Sequence, residues 1–269
     1  MIKNYDPFII SEIGINHNGN LKSAYKLIDS SIKAGASAVK FQTYKTEKRV
    51  KKNSPIFDIL KKCELSYEDF KKIKKYCDEK KIIFFSTPFD VESVYFLKSI
   101  DVKLLKVASF DISNYEILRA ISKTRLPTII STGMANKSEI ERAYKFFKSK
   151  NIKFSLLHCV SNYPNKEESS YLSCINYLNE KYNCPIGISD HTNNISTSVY
   201  GYLMGAKIIE KHFVTNTKFK CVDQPVSITE KQMGDLVRKI DHLKKVMGKP
   251  IFGKRKEEKN SYTFKRKKK

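Results

Sequence analysis

Pro185-Ile-Gly-Ile-Ser-Asp-His-Thr192 and Ala206-Lys-Ile-Ile-Glu-Lys-His-Phe213 are two short apolar runs, and each carries a histidine near its end. The residues between them predict a helix, so the two runs are expected to be parallel strands joined by a helical crossover. Such strands would bring His191 and His212 together, although the two are too far apart in sequence to share one helix face. Two neutral imidazoles at adjacent strand ends suit a divalent metal, unless both are simply hydrogen-bonded to the backbone.

The same alternation of apolar runs and helix-period runs extends outward over nearly the whole chain. Six further strands are predicted at 8–12, 38–42, 82–86, 104–107, 128–131 and 154–158. The remaining helices are predicted near 21–34, 66–80, 91–99, 115–123, 137–149, 171–182 and 229–247. Eight strand–helix units without a break in composition predict an α/β fold of the (β/α)8 TIM-barrel type. A doubly wound open sheet is the alternative, but its Gly-x-Gly-x-x-Gly turn does not follow the first strand.

The last part of the chain differs in composition from the part before it. From Pro250 onward the sequence is charged and rich in turn residues, and it ends in Lys265-Arg266-Lys267-Lys268-Lys269. We therefore expect residues 1–250 to form the barrel and residues 251–269 to form a basic linker or tail.

Composition limits the classes of function. A hydrophobic share of 41% in 269 residues supports a sizeable core, and no apolar run is long enough for a membrane span or a signal peptide. We therefore expect no membrane partner and a cytoplasmic protein. The six cysteines form no Cys-x-x-Cys pair, which argues against structural zinc. The net charge of +23 comes largely from lysines spread over helices without a basic–aromatic stripe, so it argues against nucleic acid, although a small anionic substrate would still gain from the positive field.

Polar residues lie within or just after each predicted strand, where the chemistry of a barrel is located. The collected candidates include Glu12, Lys40, Gln42, Thr87, Lys106, Ser109, Ser131, Ser161, Tyr163, Ser189, His191, Glu210 and His212. Lys40 and Lys106 are flanked by apolar residues, and a buried lysine is unfavourable unless it is paired. The two lysines either bridge Glu12 or Glu210 for structure alone, or form with nearby hydroxyls a pocket for a phosphate or phospho-carboxylate.

Several longer motifs occur in a fixed order along the chain. They are Ile10-Ser-Glu-Ile-Gly-Ile-Asn-His-Asn-Gly19, Val39-Lys-Phe-Gln-Thr43, Ser86-Thr-Pro-Phe-Asp90, Lys106-Val-Ala-Ser109, Ser131-Thr-Gly-Met134, His158-Cys-Val-Ser-Asn-Tyr-Pro164, Ser189-Asp-His-Thr192 and Glu210-Lys-His-Phe213. With these motifs the chain resembles the N-acetylneuraminate (sialic acid) synthase family, the NeuB-like enzymes, over residues 6–250.

The resemblance implies a transferase that forms a C–C bond between phosphoenolpyruvate and N-acetylmannosamine or a related N-acetylated hexose. The products would be a nine-carbon 2-keto sugar acid and phosphate. By the same resemblance, His191 and His212 would bind Mn²⁺ or Mg²⁺, and Glu12, Lys40 and Lys106 would join them in catalysis. Phosphoenolpyruvate would contact Lys40, Thr87, Lys106, Ser109, Ser131 and Ser189. The amino sugar would contact Glu12, Gln42, Ser161, Tyr163 and Asp223.

Two departures from the family pattern keep alternatives open. Lys220-Cys-Val-Asp223 replaces a Gly-Pro-Asp-like turn, and the chain stops near where a C-terminal antifreeze-like (SAF) domain would begin. In the family that domain reaches the partner's site in a dimer and supplies an arginine. Without it we expect weak sugar affinity, so the partner would be a second copy or a separate SAF-domain chain. A pseudaminic or legionaminic acid synthase, or a truncated, inactive or partner-dependent barrel, is the alternative function.

Overall fold

A computed structural model describes residues 6–266, and a closed parallel barrel forms its centre. The strands are β1 (Phe8–Gly14), β2 (Ala38–Thr43), β3 (Ile83–Pro88), β4 (Leu105–Val107), β5 (Thr128–Ser131), β6 (Phe154–Cys159), β7 (Ile186–Asp190) and β8 (Ile208–Val214). Each strand pairs with the next in sequence order, and β1 pairs in parallel with β8. The prediction of a (β/α)8 barrel is therefore confirmed. A two-residue strand, β9 (Ile228–Thr229), is added beside β8.

Helices surround the barrel between successive strands. They are α1 (Leu21–Lys33), α2 (Thr46–Arg49), α3 (Phe57–Cys63), α4 (Tyr67–Glu79), α5 (Val91–Ser99), α6 (Tyr115–Thr124), α7 (Lys137–Ser149), α8 (Ser173–Lys181), α9 (Ser196–Leu203) and α10 (Glu230–Met247). Local chemistry sets several of their starts: Ser66 with Asp69 and Asn136 with Glu139 form capping boxes at the first turns of α4 and α7. Among residues 6–266, no helix combines the length and hydropathy needed to cross a bilayer.

The interior of the barrel changes character along each strand. A buried apolar cluster contains Phe8, Ile10, Ala38, Phe85, Leu104, Ile129, Leu157 and Ile208. Alternate residues of a strand share one face, so the next inward position on β1 is Glu12, on β2 Lys40 and on β8 Glu210. The first residues of the strands thus form an apolar floor inside the barrel, and the last residues place polar groups at its mouth.

Gly187 on β7 shows how tightly this floor is packed. A Cβ at that position would lie 2.4 Å from the Ile208 carbonyl oxygen and 2.6 Å from Leu157 Cδ2. A side chain there would clash, so only glycine completes the interior layer at this strand. The floor therefore closes the barrel below the polar groups.

Two segments outside the strand–helix repeats contain short helices that the sequence does not predict. No regular element is predicted between the strand at 38–42 and the helix near 66–80, but this connection contains the short helices α2 and α3. After α10, residues Lys256–Phe264 form a 3-10 helix within the predicted basic tail. The division at residue 250 stays a prediction. Residues 1–5 of the predicted barrel segment and 267–269 of the basic tail lie outside the described residues.

Candidate active site

A cavity of about 410 Å³ opens at the carboxyl ends of the barrel strands. Every site residue predicted from the sequence, apart from Ser161, lines it: Glu12, Lys40, Gln42, Thr87, Lys106, Ser109, Ser131, Tyr163, Ser189, His191, His212 and Asp223. These side chains come from all eight strands or the segments that follow them. The barrel therefore gathers at one place residues that are scattered over 200 positions of the chain.

Two buried lysines and two buried carboxylates form the base of the cavity. Lys40 Nζ lies 2.8 Å from Glu12 Oε2 and 3.7 Å from Glu210 Oε1, and Lys106 Nζ lies 3.8 Å from the same Glu210 oxygen. Ser189 Oγ donates to Glu210 Oε1 at 3.0 Å. Both lysines are thus paired, as the structural alternative required, and both still line the cavity.

The two carboxyl groups differ in their electrostatic surroundings. Burial raises the pKa of Glu12, with the Glu210 carboxylate adding to the rise against the opposing effect of Lys40. Burial would also raise the pKa of Glu210, but the ammonium groups of Lys106 and Lys40 outweigh it and hold that pKa below its usual range. Glu210 therefore stays ionised between the lysines, and Glu12 is the carboxyl better suited to exchange a proton.

Lysine ammonium groups, hydroxyls and a thiol form one side of the cavity. Lys106 Nζ donates to Ser131 Oγ at 2.5 Å, and Lys40 Nζ donates to Thr87 Oγ1 at 3.2 Å. Ser109 Oγ lies 3.1 Å from Cys159 Sγ. These donors surround a space suited to a small anion, because ammonium and hydroxyl groups together can satisfy several oxygens.

Gly133 keeps this anion side open. A Cβ at Gly133 would lie 2.6 Å from Ser161 Oγ, 2.7 Å from Cys159 Sγ and 3.0 Å from Ser109 Oγ. The Gly133 amide donates to Cys159 Sγ at 3.2 Å. Ser161 is half-buried, but its hydroxyl oxygen is buried and has no hydrogen-bond partner in the part of the chain that the structure describes. Its position beside Gly133 and Ser109 is on the anion side, whereas the family resemblance implies a contact with the sugar.

The histidines of β7 and β8 lie on another wall of the cavity. Their ring centroids are 5.5 Å apart, and the ring of Tyr163 lies 4.2 Å from His191. Nδ1 of His191 is 2.7 Å from the Val160 carbonyl oxygen, and Nδ1 of His212 is 3.5 Å from Asp223 Oδ2. The His191 contact is a hydrogen bond, the arrangement that orients Nε2 of a metal-ligating histidine, whereas His212 Nδ1 is within ion-pair distance of Asp223 but has no hydrogen-bond partner among residues 6–266.

The charge states of these rings differ. Burial, with His212 nearby, lowers the pKa of His191 to about 4, so this ring is neutral at neutral pH. Burial would lower the pKa of His212 too, but its contact with Asp223 outweighs burial and raises it. Over residues 6–266 no cluster of three His, Cys, Asp or Glu side chains could hold a metal. The two imidazoles alone would hold a divalent ion only if water or substrate oxygen supplied its remaining ligands.

The segment after β8 borders the wall that carries the two histidines. Asn16 donates to the Phe213 carbonyl at 2.9 Å and to Ser227 Oγ at 3.0 Å, and its Oδ1 accepts from the Asp223 amide at 3.1 Å. Although the turn Lys220-Cys-Val-Asp223 departs from the family pattern, these hydrogen bonds hold the Asp223 carboxylate beside His212. Gln42 Nε2 donates to Glu12 Oε1 at 3.4 Å, which links this wall to the base.

Three cavity residues were given no part in binding or catalysis from the sequence. Glu210 was considered only as a possible structural partner of the lysines, although it contacts both of them and lines the cavity. Cys159 lies inside a quoted motif but was given no function. Arg49 was missed because it occupies a segment predicted as loop, where no periodicity indicates which side chains face inward.

Comparison with known proteins gives a consistent result. A model of the NeuB family matches residues 27–252. The chain is 36% identical to N,N'-diacetyllegionaminic acid synthase of Legionella pneumophila over 90% of its length and 73% of that protein. It is 34% identical to a pseudaminic acid synthase of Campylobacter jejuni, covering 92% of this chain and 80% of that one. An N-acetylneuraminic acid synthetase structure from Leptospira borgpetersenii superposes with a TM-score of 0.93 at 38% identity, covering 97% and 92% of the two chains.

Proposed function

Because the chain belongs to the NeuB family, we propose that it condenses phosphoenolpyruvate with an N-acetylated amino sugar in its open aldehyde form. The products are a nine-carbon 2-keto sugar acid and phosphate. The observation that carries this proposal is that one cavity has two chemically different walls. Lys40, Lys106 and the neighbouring hydroxyls form the lysine wall, and His191 and His212 form the histidine wall. One wall suits a phosphate and a carboxylate, and the other suits the aldehyde oxygen.

The lysine wall binds phosphoenolpyruvate in this proposal. Lys40 and Lys106 neutralise the charge of the ligand, and the hydroxyls of Thr87, Ser109 and Ser131 supply further hydrogen bonds. Glu210 keeps the lysines in place when the anion is absent, since it lies within 4 Å of both. Ser189, which donates to Glu210, completes this set.

The histidine wall would hold Mn²⁺ or Mg²⁺ through His191 and His212. When bound, such an ion supplies Lewis-acid polarisation of the sugar aldehyde. The Val160 carbonyl orients His191, Asp223 lies beside His212, and Tyr163, which packs against both rings, would limit the approach of the sugar to one side. Gln42 and Asp223, which also line the cavity, would hydrogen-bond the hydroxyl or acetamido groups of the sugar.

Glu12 is placed to handle protons. In the condensation, C3 of phosphoenolpyruvate forms a bond to the aldehyde carbon, whose oxygen must gain a proton. C2 becomes cationic and is captured by water, which loses a proton before phosphate departs. Glu12 lies beside Lys40 at the cavity base, and its raised pKa suits a group that holds one of these protons and stabilises the cation when ionised.

The acceptor could be N-acetylmannosamine or a 2,4-diacetamido hexose, the kind of precursor that a pseudaminic or legionaminic acid synthase would use. The relatives reported above include synthases named for all three acids. A partner-dependent barrel remains the second candidate, because exposed apolar side chains of Ile56, Ile59 and Phe110 border the cavity. A second copy or a separate SAF-domain chain could cover them.

The test is release of phosphate and formation of 2-keto acid from phosphoenolpyruvate with Mn²⁺ and each sugar, with and without an added SAF domain. We expect product with at least one acceptor, loss of product with a chelator, and recovery when Mn²⁺ is restored. His191→Ala and His212→Ala should lower the metal content of the purified protein. Product only with the added domain would support the partner-dependent barrel, and no product under any condition would contradict the proposal.

A further inference from the structure

Arg49 is a cation of the cavity that lacks a carboxylate partner. Lys40 has Glu12 at 2.8 Å, Lys106 has Glu210 at 3.8 Å, and Lys45 at the rim has Glu64 at 3.7 Å. No carboxylate oxygen of residues 6–266 lies within 4 Å of the Arg49 guanidinium. One donor, Nη1, is used in a 3.0 Å hydrogen bond to Gln42 Oε1. The other donors of the guanidinium remain available to a ligand.

Aromatic rings hold this guanidinium at the cavity wall. Its central carbon lies 3.7 Å from the centroid of Phe89 and 4.7 Å from that of Tyr44. The side chain is half-buried and lines the same cavity as Glu12, Gln42 and Asp223. Burial lowers the pKa of Arg49, while Asp223, Asp111 and Glu12 oppose this from beyond contact distance. The two rings therefore shield the faces of the Arg49 guanidinium from water, while no carboxylate in contact, among the described residues, neutralises its charge.

The backbone that carries Arg49 is fixed by side-chain hydrogen bonds. The amide and Oγ1 of Thr46 donate to Glu64 Oε2 at 2.9 and 2.7 Å. The amide of Lys45 donates to Asp90 Oδ2 at 3.0 Å. The four-residue helix α2 (Thr46–Arg49) is thus tied to α3 and to the segment after β3, so Arg49 is positioned before any ligand arrives.

We propose that Arg49 selects the acceptor, and that it binds a phosphate or carboxylate carried by the acceptor sugar away from its aldehyde. This rests on the proposed function. The lysine wall already serves phosphoenolpyruvate, and Arg49 lies at Gln42, on the side assigned to the sugar. A planar fork of donors matches two oxygens of one anion. A neutral amide carbonyl would accept one hydrogen bond but leave the charge of the guanidinium uncompensated between the rings.

The test compares three acceptors that share one sugar: N-acetylmannosamine, its 6-phosphate and its 6-carboxylate. The readout is the ratio of kcat/KM for each anionic acceptor to kcat/KM for the neutral one. We expect the wild type to favour at least one anionic acceptor by about tenfold to a hundredfold, the range of a charge-assisted hydrogen bond. Whichever anion is favoured identifies the source of the charge. A ratio at or below one for both would overturn the proposal.

Variants of Arg49 and of its neighbour Lys48 test whether a preference for an anionic acceptor depends on the Arg49 guanidinium. Arg49→Met keeps an apolar chain between the rings and should collapse the ratio to about one, and Arg49→Lys, which keeps charge but loses the fork, should give an intermediate value. Lys48→Met removes one positive charge from the same helix, where Lys48 is exposed and paired with Glu92, and should keep the ratio of the wild type. Equal ratios in wild type and Arg49→Met would overturn the proposal.

A binding measurement separates this inference from the proposed function. If no acceptor is turned over, the function has failed, and N-acetylmannosamine 6-phosphate and 6-carboxylate are titrated against wild type and Arg49→Met by calorimetry without phosphoenolpyruvate. Binding of either anion that weakens about tenfold or more in Arg49→Met would support the Arg49 site. Equal binding to both proteins, or none, would overturn it.

Discussion

Two buried lysine networks occur in this barrel, and they differ in whether the cavity reaches them. Lys211 on β8 is fully buried, lies 3.0 Å from Asp190, and donates to the carbonyl and Oγ1 of Thr192. Asp190 in turn accepts from the Thr192 amide, the Thr192 hydroxyl and Ser198 Oγ at 2.9, 2.8 and 2.6 Å. Lys40 and Lys106 are almost as buried, but they share Glu12 and Glu210 and face the cavity.

In the cavity network, charged groups have hydrogen-bonding atoms left for a ligand, whereas in the Asp190–Lys211 network they do not. The Asp190–Lys211 pair is enclosed by its own neighbours and has no access to the cavity at the mouth. In the cavity network, Glu210 Oε2 has no hydrogen-bond partner and the two lysines point to open space. A buried charge that is enclosed by its own partners therefore does not indicate a functional site. A buried charge that also lines a cavity does indicate one.

Glu12→Gln tests the cavity network and should have the largest effect. The amide keeps the shape of the side chain but cannot exchange a proton or offset a cation, so we expect kcat to fall about a thousandfold, equivalent to about 4 kcal/mol. The measurement is steady-state phosphate release, with the bound metal and the unfolding midpoint as controls. Turnover within a few fold of wild type would remove Glu12 from the mechanism.

Lys211→Met tests the enclosed network. Removing the ammonium leaves Asp190 buried without its counterion, so the free energy of unfolding should fall by about 3 kcal/mol. Chemical denaturation measures this change, and Lys207→Met, which removes an exposed lysine of the same region, is the matched control. A loss of kcat in the folded protein without a loss of stability would show that the two networks are not separate.

Gly133→Ala should have a smaller and more specific effect. The new methyl would meet Ser161 Oγ and Cys159 Sγ on the anion side of the cavity, so we expect KM for phosphoenolpyruvate to rise about tenfold, or about 1.4 kcal/mol. Gly234→Ala in α10 is the control, because its methyl would meet only the flexible end of Arg238. An unchanged KM would place phosphoenolpyruvate elsewhere in the cavity.

Much of the barrel and the cavity could be predicted from the sequence because the strands carry a simple signal. An apolar inward position is followed two residues later by a polar one, as in Ile10 and Glu12 or Leu104 and Lys106. The 3.6-residue period of the intervening helices is equally regular, so the order of elements followed directly.

The rest depended on contacts that no local pattern encodes. Arg49 faces the cavity because Glu64 and Asp90 fix the backbone of α2, and both anchors lie far along the chain. Ser161 was assigned by its motif, but its neighbours are set by how β5 and β6 pair, which places it beside Gly133. Whether Glu210 supports or lines the site was open for the same reason, since the answer depends on two other strands.

The apolar floor has a kinetic consequence. With Phe8, Ile10, Phe85 and Leu157 filling the barrel beneath the lysines, the reactants reach the cavity from the mouth. Lys106 and Ser131 are buried at the base, whereas Tyr163 is 46% exposed at the rim. The small anion must then arrive before the bulkier sugar blocks its path, so we expect compulsory-order kinetics. A bound inert sugar analogue should slow the association of phosphoenolpyruvate, and an association rate that saturating analogue leaves unchanged would contradict that order.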